Sequence, residues 1–209
     1  MTTPPEKDIS LLVVDMWWEE EIKNRERGFA ICFNEMSKQY EKMECQQYPQ
    51  SLQYPTGTLH AGLDAIHDVV RKAHLLGKKI YGVVNDDGYS PPDELLDKSL
   101  HPYIPKEHFF MKNSYSAFNS KPLITRLEED AVDYLLIVGF DRDCCVLSTI
   151  QDAVKKGITI VTSETLMLTC NVKDRNIALD YCRKNTIYLE SLVEVLNVLD
   201  PHGKLAFIP

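Results

Sequence analysis

Hydrophobic positions along the chain alternate between short continuous runs and stretches with helical spacing. The first run, residues 9–14, ends in Asp15 and reads as a strand apolar on both faces, as a parallel sheet requires. From Leu63 the apolar positions Leu63, Ile66, Val69, Val70 and Ala73 recur at helical spacing, and Gly77 stands where a helix stops. KKIYGVVN, ending at Asn85, predicts a second strand, residues 132–138 another and ITIVTS a further one. Between the last two, Gly139 to Asp143 form a tight connection into a helix from about Cys144 to Lys156, closed by Gly157. Residues 174–184 and 191–199 predict helices around a strand at 186–189, and 123–127 predict part of another helix.

Two segments break this rhythm. Residues 86–105 hold four prolines and several acids, which predicts a long surface loop. In residues 16–60 the stretch WWEEEIKNRERG predicts a helix, but the residues after it have only weak periodicity. Strands alternating with helices, each strand a Val/Ile/Leu run, predict a three-layer α/β/α sandwich around a mostly parallel sheet. With no internal repeat or linker, the expectation is one domain over 1–209 with an atypical segment at about 16–60. In such sheets ligands bind beyond the carboxyl ends of the strands, here occupied by Asp15, Asn85 and the turn from Gly139 to Cys145.

Composition adds exclusions. The 209 residues, 44% hydrophobic and 26% charged, suit an ordinary folded domain with a sizeable core. Lys and Arg total 23 against 31 Asp and Glu, and the formal charge of -8 opposes nucleic acid and anionic membranes as partners. No apolar run approaches the roughly 20 residues of a spanning helix. The opening MTTPPEKDIS lacks the basic-then-apolar order of a secretory signal, so the expected location is the cytoplasm. Six irregularly spaced cysteines without a CxxC pair predict free thiols. A small-molecule substrate is the expected partner.

The segment GFDRDCCVLST places thiols at a helix start, where the dipole and unsatisfied backbone donors favour thiolate; the competing reading is two small core residues. Asp15, just past a buried strand, suits either a general base or a helix cap. Lys112, within FFMKNSYSAF, is either a solvated cation or a partner for a buried carboxylate. His60, His67 and His74 recur every seven residues, but two helical turns separate neighbours by about 10 Å, too far for one metal ion. Trp17 and Trp18 either wall a pocket or pack in the core. No GxGxxG or P-loop pattern is present, and no cofactor or metal is expected.

Taken together, LLVVD ending at Asp15, KNSYSAF beginning at Lys112 and GFDRDCCVLSTIQDAVKKG around Cys145 closely resemble the isochorismatase-like cysteine hydrolase superfamily. The resemblance covers most of the chain and implies a six-stranded parallel sheet with a catalytic set of Asp15, Lys112 and Cys145. It selects Cys145 over Cys144, because the family nucleophile directly precedes Val and lies six residues after the glycine, here Gly139. It also implies a cis peptide between Phe140 and Asp141, whose use is to aim the Asp141 N–H, with that of Cys145, at a developing oxyanion. The implied reaction is metal-independent hydrolysis of a C–N bond in a small amide, carbamoyl or ureido compound through a thioester, with Asp15 moving the protons. Relatives imply a homo-oligomer, dimer or tetramer.

Departures from the family pattern bear on the substrate. Nicotinamidases carry an Asp and two His for a metal after the second strand, yet residues 85–100 contain no histidine, which argues against that activity. Isochorismatases that cleave a vinyl ether lack the cysteine. Trp17 and Trp18 replace the usual Gln or Asn after the first aspartate, and Arg142 replaces a small residue, adding a charge that selects an acidic substrate. Candidate pocket residues are therefore Trp17, Trp18, Tyr115, Phe118 and Arg142. The alternative from another class is a catalytically silent binding or scaffold protein on the same fold.

Overall fold

In the computed structural model, which describes residues 8–16, 29–34, 39–44, 58–86, 96–169 and 175–203, the chain folds around one parallel sheet. Its first strand is β1 (Ile9–Val14), after which β2 (Phe29–Asn34) and β3 (Gln39–Glu44) pair separately with each other. The sheet continues with β4 (Ile80–Asn85), β5 (Phe109–Lys112), β6 (Tyr134–Phe140), β7 (Thr159–Ser163), β8 (Met167–Leu168) and β9 (Ile187–Leu189). The spatial order is β5-β4-β1-β6-β7-β9, and the two-residue β8 adds to β6 as a seventh strand. Every pairing in this sheet is parallel. The mostly parallel sheet expected from the sequence is present; β8 is too short to leave a periodic signal.

Helices close both faces. Leu11 and Val13 of β1 and Leu136 and Val138 of β6 share a core with α1 (Thr58–Leu75) and α5 (Leu192–Leu199). Leu12, Val14, Leu135 and Ile137, pointing the opposite way, share the second core with α2 (Lys121–Glu129), α3 (Leu147–Lys155) and α4 (Arg175–Asn185). This explains the continuous apolar runs, since a strand covered on both sides has no polar face to alternate with. In α1 the buried set Leu63, Ile66, Val69, Val70 and Ala73 is the predicted stripe, and the helix stops before Gly77 at φ +68°.

Three expectations are corrected or bounded. Within 16–60 the described β2 and β3 form an antiparallel pair, which the weak periodicity did not predict. The predicted helix WWEEEIKNRERG, including Trp17 and Trp18, lies outside the described residues. The helix expected from about Cys144 instead opens with a π turn over Arg142–Val146 before α3 begins.

The strand order reverses direction between β1 and β6, and such a switch point opens a crevice at the carboxyl ends. Val14 and Gly139 are register partners there, and Gly139 holds φ +135°. A Cβ on Gly139 would meet the Val14 carbonyl oxygen at 1.9 Å, so only glycine lets the two backbones approach this closely. Gly139→Ala is predicted to cost on the order of 3 kcal/mol or more in urea unfolding, from clash and backbone strain together. Gly157→Ala, at φ +82° with no atom within 4 Å, should cost about 1 kcal/mol, so equal losses would refute the contact.

Candidate active site

The four neighbouring strands β5, β4, β1 and β6 each end at the same edge of the sheet with one polar feature: Lys112, Asn85, Asp15 and the turn carrying Cys145. Asp15 follows β1 in the left-handed region at φ +47°, an uncommon conformation for a residue with a side chain. Its N–H donates to the Val83 carbonyl at 2.8 Å, which anchors it to β4. Its Oδ1 accepts the Asn85 N–H at 3.0 Å, and its Oδ2 lies 2.7 Å from Lys112 Nζ. The side chains of this ion pair are 0% and 2% exposed for Lys112 and Asp15.

Lys112 Nζ also donates to Asn85 Oδ1 at 2.8 Å and to the Ser114 carbonyl at 2.9 Å, and it reaches Cys145 Sγ at 3.4 Å. An ammonium has three protons, and these three acceptors take them, with Asp15 Oδ2 beside it as the counter-ion. The Asp15 carboxyl in turn lies close enough to the Cys145 thiol to raise its pKa. Thus the structure brings Asp15, Lys112 and Cys145 into one buried cluster.

The turn beneath the sulfur is fixed independently. The N–H groups of Cys144 and Val146 both donate to the Asp141 carbonyl, at 3.1 and 3.0 Å, which produces the π turn. The peptide between Phe140 and Asp141 is cis. Thr149 donates to the Cys145 carbonyl at 2.7 Å and accepts the Ala117 N–H at 3.0 Å, tying the cysteine turn to the segment that follows Lys112.

Electrostatics correct one expectation. The helix start favours thiolate in isolation, but burial, and then the Asp15 charge, push the Cys145 thiol up to about 12 despite Lys112. Burial likewise raises the Asp15 carboxyl above its ordinary value, against the opposing pull of Lys112. The resting thiol is therefore neutral, beside the Lys112–Asp15 pair.

A family model, the isochorismatase domain, matches residues 58–192, a stretch that holds Lys112 and Cys145. The chain belongs to the isochorismatase family. It is similar to an uncharacterized isochorismatase family protein of Bacillus subtilis (strain 168), 32% identical over 102 residues, 49% of this chain and 55% of that protein. The match thus spans about half the length of that relative. Among solved structures, a cysteine hydrolase from Pseudomonas syringae pv. phaseolicola superposes with a TM-score of 0.63 at 16% identity, covering 96% of this chain and 99% of the other. A nicotinamidase from Staphylococcus aureus gives a TM-score of 0.58 at 20% identity, covering 88% and 99%.

Within this isochorismatase-family cluster the remaining sequence candidates fall differently. Cys144 is exposed and takes no part in the cluster. Phe118 is buried in the same apolar core as Cys145, Val14 and Val146, whereas Tyr115 is 67% exposed. Arg142 does not present a free charge for an acidic substrate: it is 2% exposed, with Nη2 3.1 Å from Asp143 Oδ2 and Nε donating to Oδ1 at 3.3 Å. Thr169 donates to that same carboxylate at 2.8 Å, so the guanidinium is part of the turn's support. His67 and His74 are engaged at Ser99 and the Tyr103 carbonyl, consistent with packing roles. Among the described residues no three His, Cys, Asp or Glu side chains form a metal-binding group.

Asn85, Ser114 and Thr149 are site residues that sequence reasoning did not assign to the chemistry. Asn85 was legible as the last residue of a strand aimed at the crevice, and nothing local distinguishes it further.

Removing one partner of a buried ion pair strands the other charge, which typically costs about 3–5 kcal/mol. Lys112→Met is therefore predicted to lower stability by that order at pH 7, and adding Asp15→Asn to recover part of the loss. A double-mutant cycle in urea checks this, and strictly additive losses would contradict direct coupling.

Proposed function

We propose that this protein is a cysteine amidohydrolase that cleaves the C–N bond of a small amide, carbamoyl or ureido compound through a thioester. The observation that carries the reading is Lys112 Nζ held 2.7 Å from Asp15 Oδ2 and 3.4 Å from Cys145 Sγ in a buried cluster. The names of the two structural relatives, a cysteine hydrolase and a nicotinamidase, support the same class of chemistry.

In the proposed route Sγ attacks the substrate carbonyl carbon while its proton passes to Asp15. The large gap between a thiol near 12 and a carboxyl makes free thiolate scarce, so proton transfer and C–S bond formation proceed together. The backbone N–H groups of Asp141 and Cys145 are assigned to the oxyanion, and Lys112 offsets negative charge at the cluster. Collapse breaks the C–N bond as Asp15 returns the proton to the departing nitrogen, leaving the acyl group on sulfur. Water then attacks the thioester, Asp15 takes its proton, and breaking the C–S bond releases the acid and restores the thiol. Every step uses protein groups and water.

A panel of amide, carbamoyl and ureido compounds assayed for ammonia or amine release is expected to give turnover that Cys145→Ala abolishes in a folded protein. A chelator should leave the rate unchanged. Turnover surviving in Cys145→Ala would overturn the covalent route. Because Asp15 acts as base when ionised and burial raises its pKa, kcat/KM should fall on acidification while the pH is still above the ordinary carboxylate value of 3.8. Activity flat down to that value would remove Asp15 from this role.

The same reading includes assembly into a dimer or tetramer, as the family resemblance implies. Light scattering at micromolar concentration is expected to give at least twice the mass of one chain, and a monomer would contradict it.

A further inference from the structure

We infer that Asn85 is a positioning residue that aims Lys112 at Asp15; this rests on the amidohydrolase reading for its catalytic meaning. The strand order supplies the reason. Lys112 ends β5 and Asp15 follows β1, with β4 between them, so their backbones lie two strand spacings apart, about 10 Å. The lysine must cross β4 at its last residue, and Asn85 is its register partner there. At that crossing the Asn85 side-chain oxygen accepts from Nζ at 2.8 Å. An ammonium only donates, so the amide must present its oxygen, and this oxygen helps select one direction for a side chain with many rotamers.

The backbone of the same residue acts on the acid. Its N–H occupies Asp15 Oδ1 at 3.0 Å, while Oδ2 is the oxygen 2.7 Å from Lys112. One residue therefore binds both members of the ion pair, through side chain to the cation and through main chain to the anion. The main-chain bond does not depend on the Asn85 side chain, so Asn85→Ala tests the aim of Lys112.

The test is a carbon-13 NMR titration of the Asp15 carboxyl, assigned with Asp15→Asn, in the wild-type chain, Asn85→Ala and Asn85→Asp. In Asn85→Ala a lysine no longer aimed at Asp15 should let the Asp15 midpoint rise by about half a pH unit or more. In Asn85→Asp the acceptor for Lys112 is kept but a second carboxylate is added, and the midpoint should rise by about a full unit or more. With an amide substrate in hand, Asn85→Ala should lower kcat about 100-fold with KM changed less than about threefold, since misplacement acts on the chemical step. Asn85→Asp, assayed above its new midpoint, should regain much of that loss. An Asp15 midpoint unmoved in folded Asn85→Ala overturns the inference. If Asn85→Ala fails to fold, the near-isosteric Asn85→Leu, which lacks the acceptor, takes its place, and an unmoved midpoint there does so. A shifted midpoint in a chain that hydrolyses no amide sinks the amidohydrolase reading and leaves the positioning intact.

Discussion

A lysine and an aspartate with almost no solvent exposure are 2.7 Å apart in this molecule, and the rest of the site is arranged around that contact. Taking either charge out of water costs several kcal/mol, and their attraction offsets the cost only when further hydrogen bonds occupy the remaining protons and lone pairs. Here they do: Asn85 and Ser114 take protons of Lys112, and the Asn85 N–H takes the second oxygen of Asp15. Each partner comes from a strand end or the residues just beyond it, so the sheet sets the distances. A parallel sheet spaces these ends at about 4.8 Å, within reach of one long and one short side chain meeting across an intervening strand.

The same placement explains how the cysteine sits at the site without being ionised. Its turn begins at a glycine whose backbone lies against Val14, immediately before Asp15, so the position of the sulfur relative to the carboxylate depends on the absence of a side chain at Gly139. The π turn, the Thr149 bridge and the Arg142–Asp143–Thr169 group hold this geometry from the other side. Arg142 is instructive because its charge invited a role in substrate selection. Asp143, adjacent in sequence, neutralises it locally, and the pair stiffens the turn.

Much of this was legible in the sequence. The runs at β1, β4 and β6 are continuous because helices cover both faces, and the stripe in α1 follows from its one-sided burial, so element types could be read directly. The ends of those runs also located the site, since Asp15 and the turn after Gly139 stand where a parallel sheet exposes its ligand edge. The hairpin of β2 and β3 was not legible, because neither strand has the clean period-2 alternation that marks a half-buried strand. Asn85 and Thr149 escaped for a different reason. Their roles lie in pairings across 27 to 70 residues for Asn85 and 32 residues for Thr149, and a local pattern carries no information on which long-range partner a strand-end amide or a helical hydroxyl will meet.

The protonation states decide how such a cluster can react. An Asp15–Lys112 ion pair beside a neutral thiol carries no net charge, which is the arrangement a buried site tolerates. A pre-formed thiolate beside the Asp15 carboxylate would leave two anions against one cation in low dielectric, and this repulsion, added to burial, is what holds the thiol near 12. On the proposed route the proton moves onto Asp15 as charge appears on the substrate oxygen, so one anion replaces another and the sum is unchanged. On that route Lys112 is the constant cation through both halves of the reaction. Its value to catalysis then lies less in lowering the resting pKa of the sulfur than in keeping the site neutral while the single negative charge migrates, which requires that its position stay fixed relative to both Asp15 and Cys145.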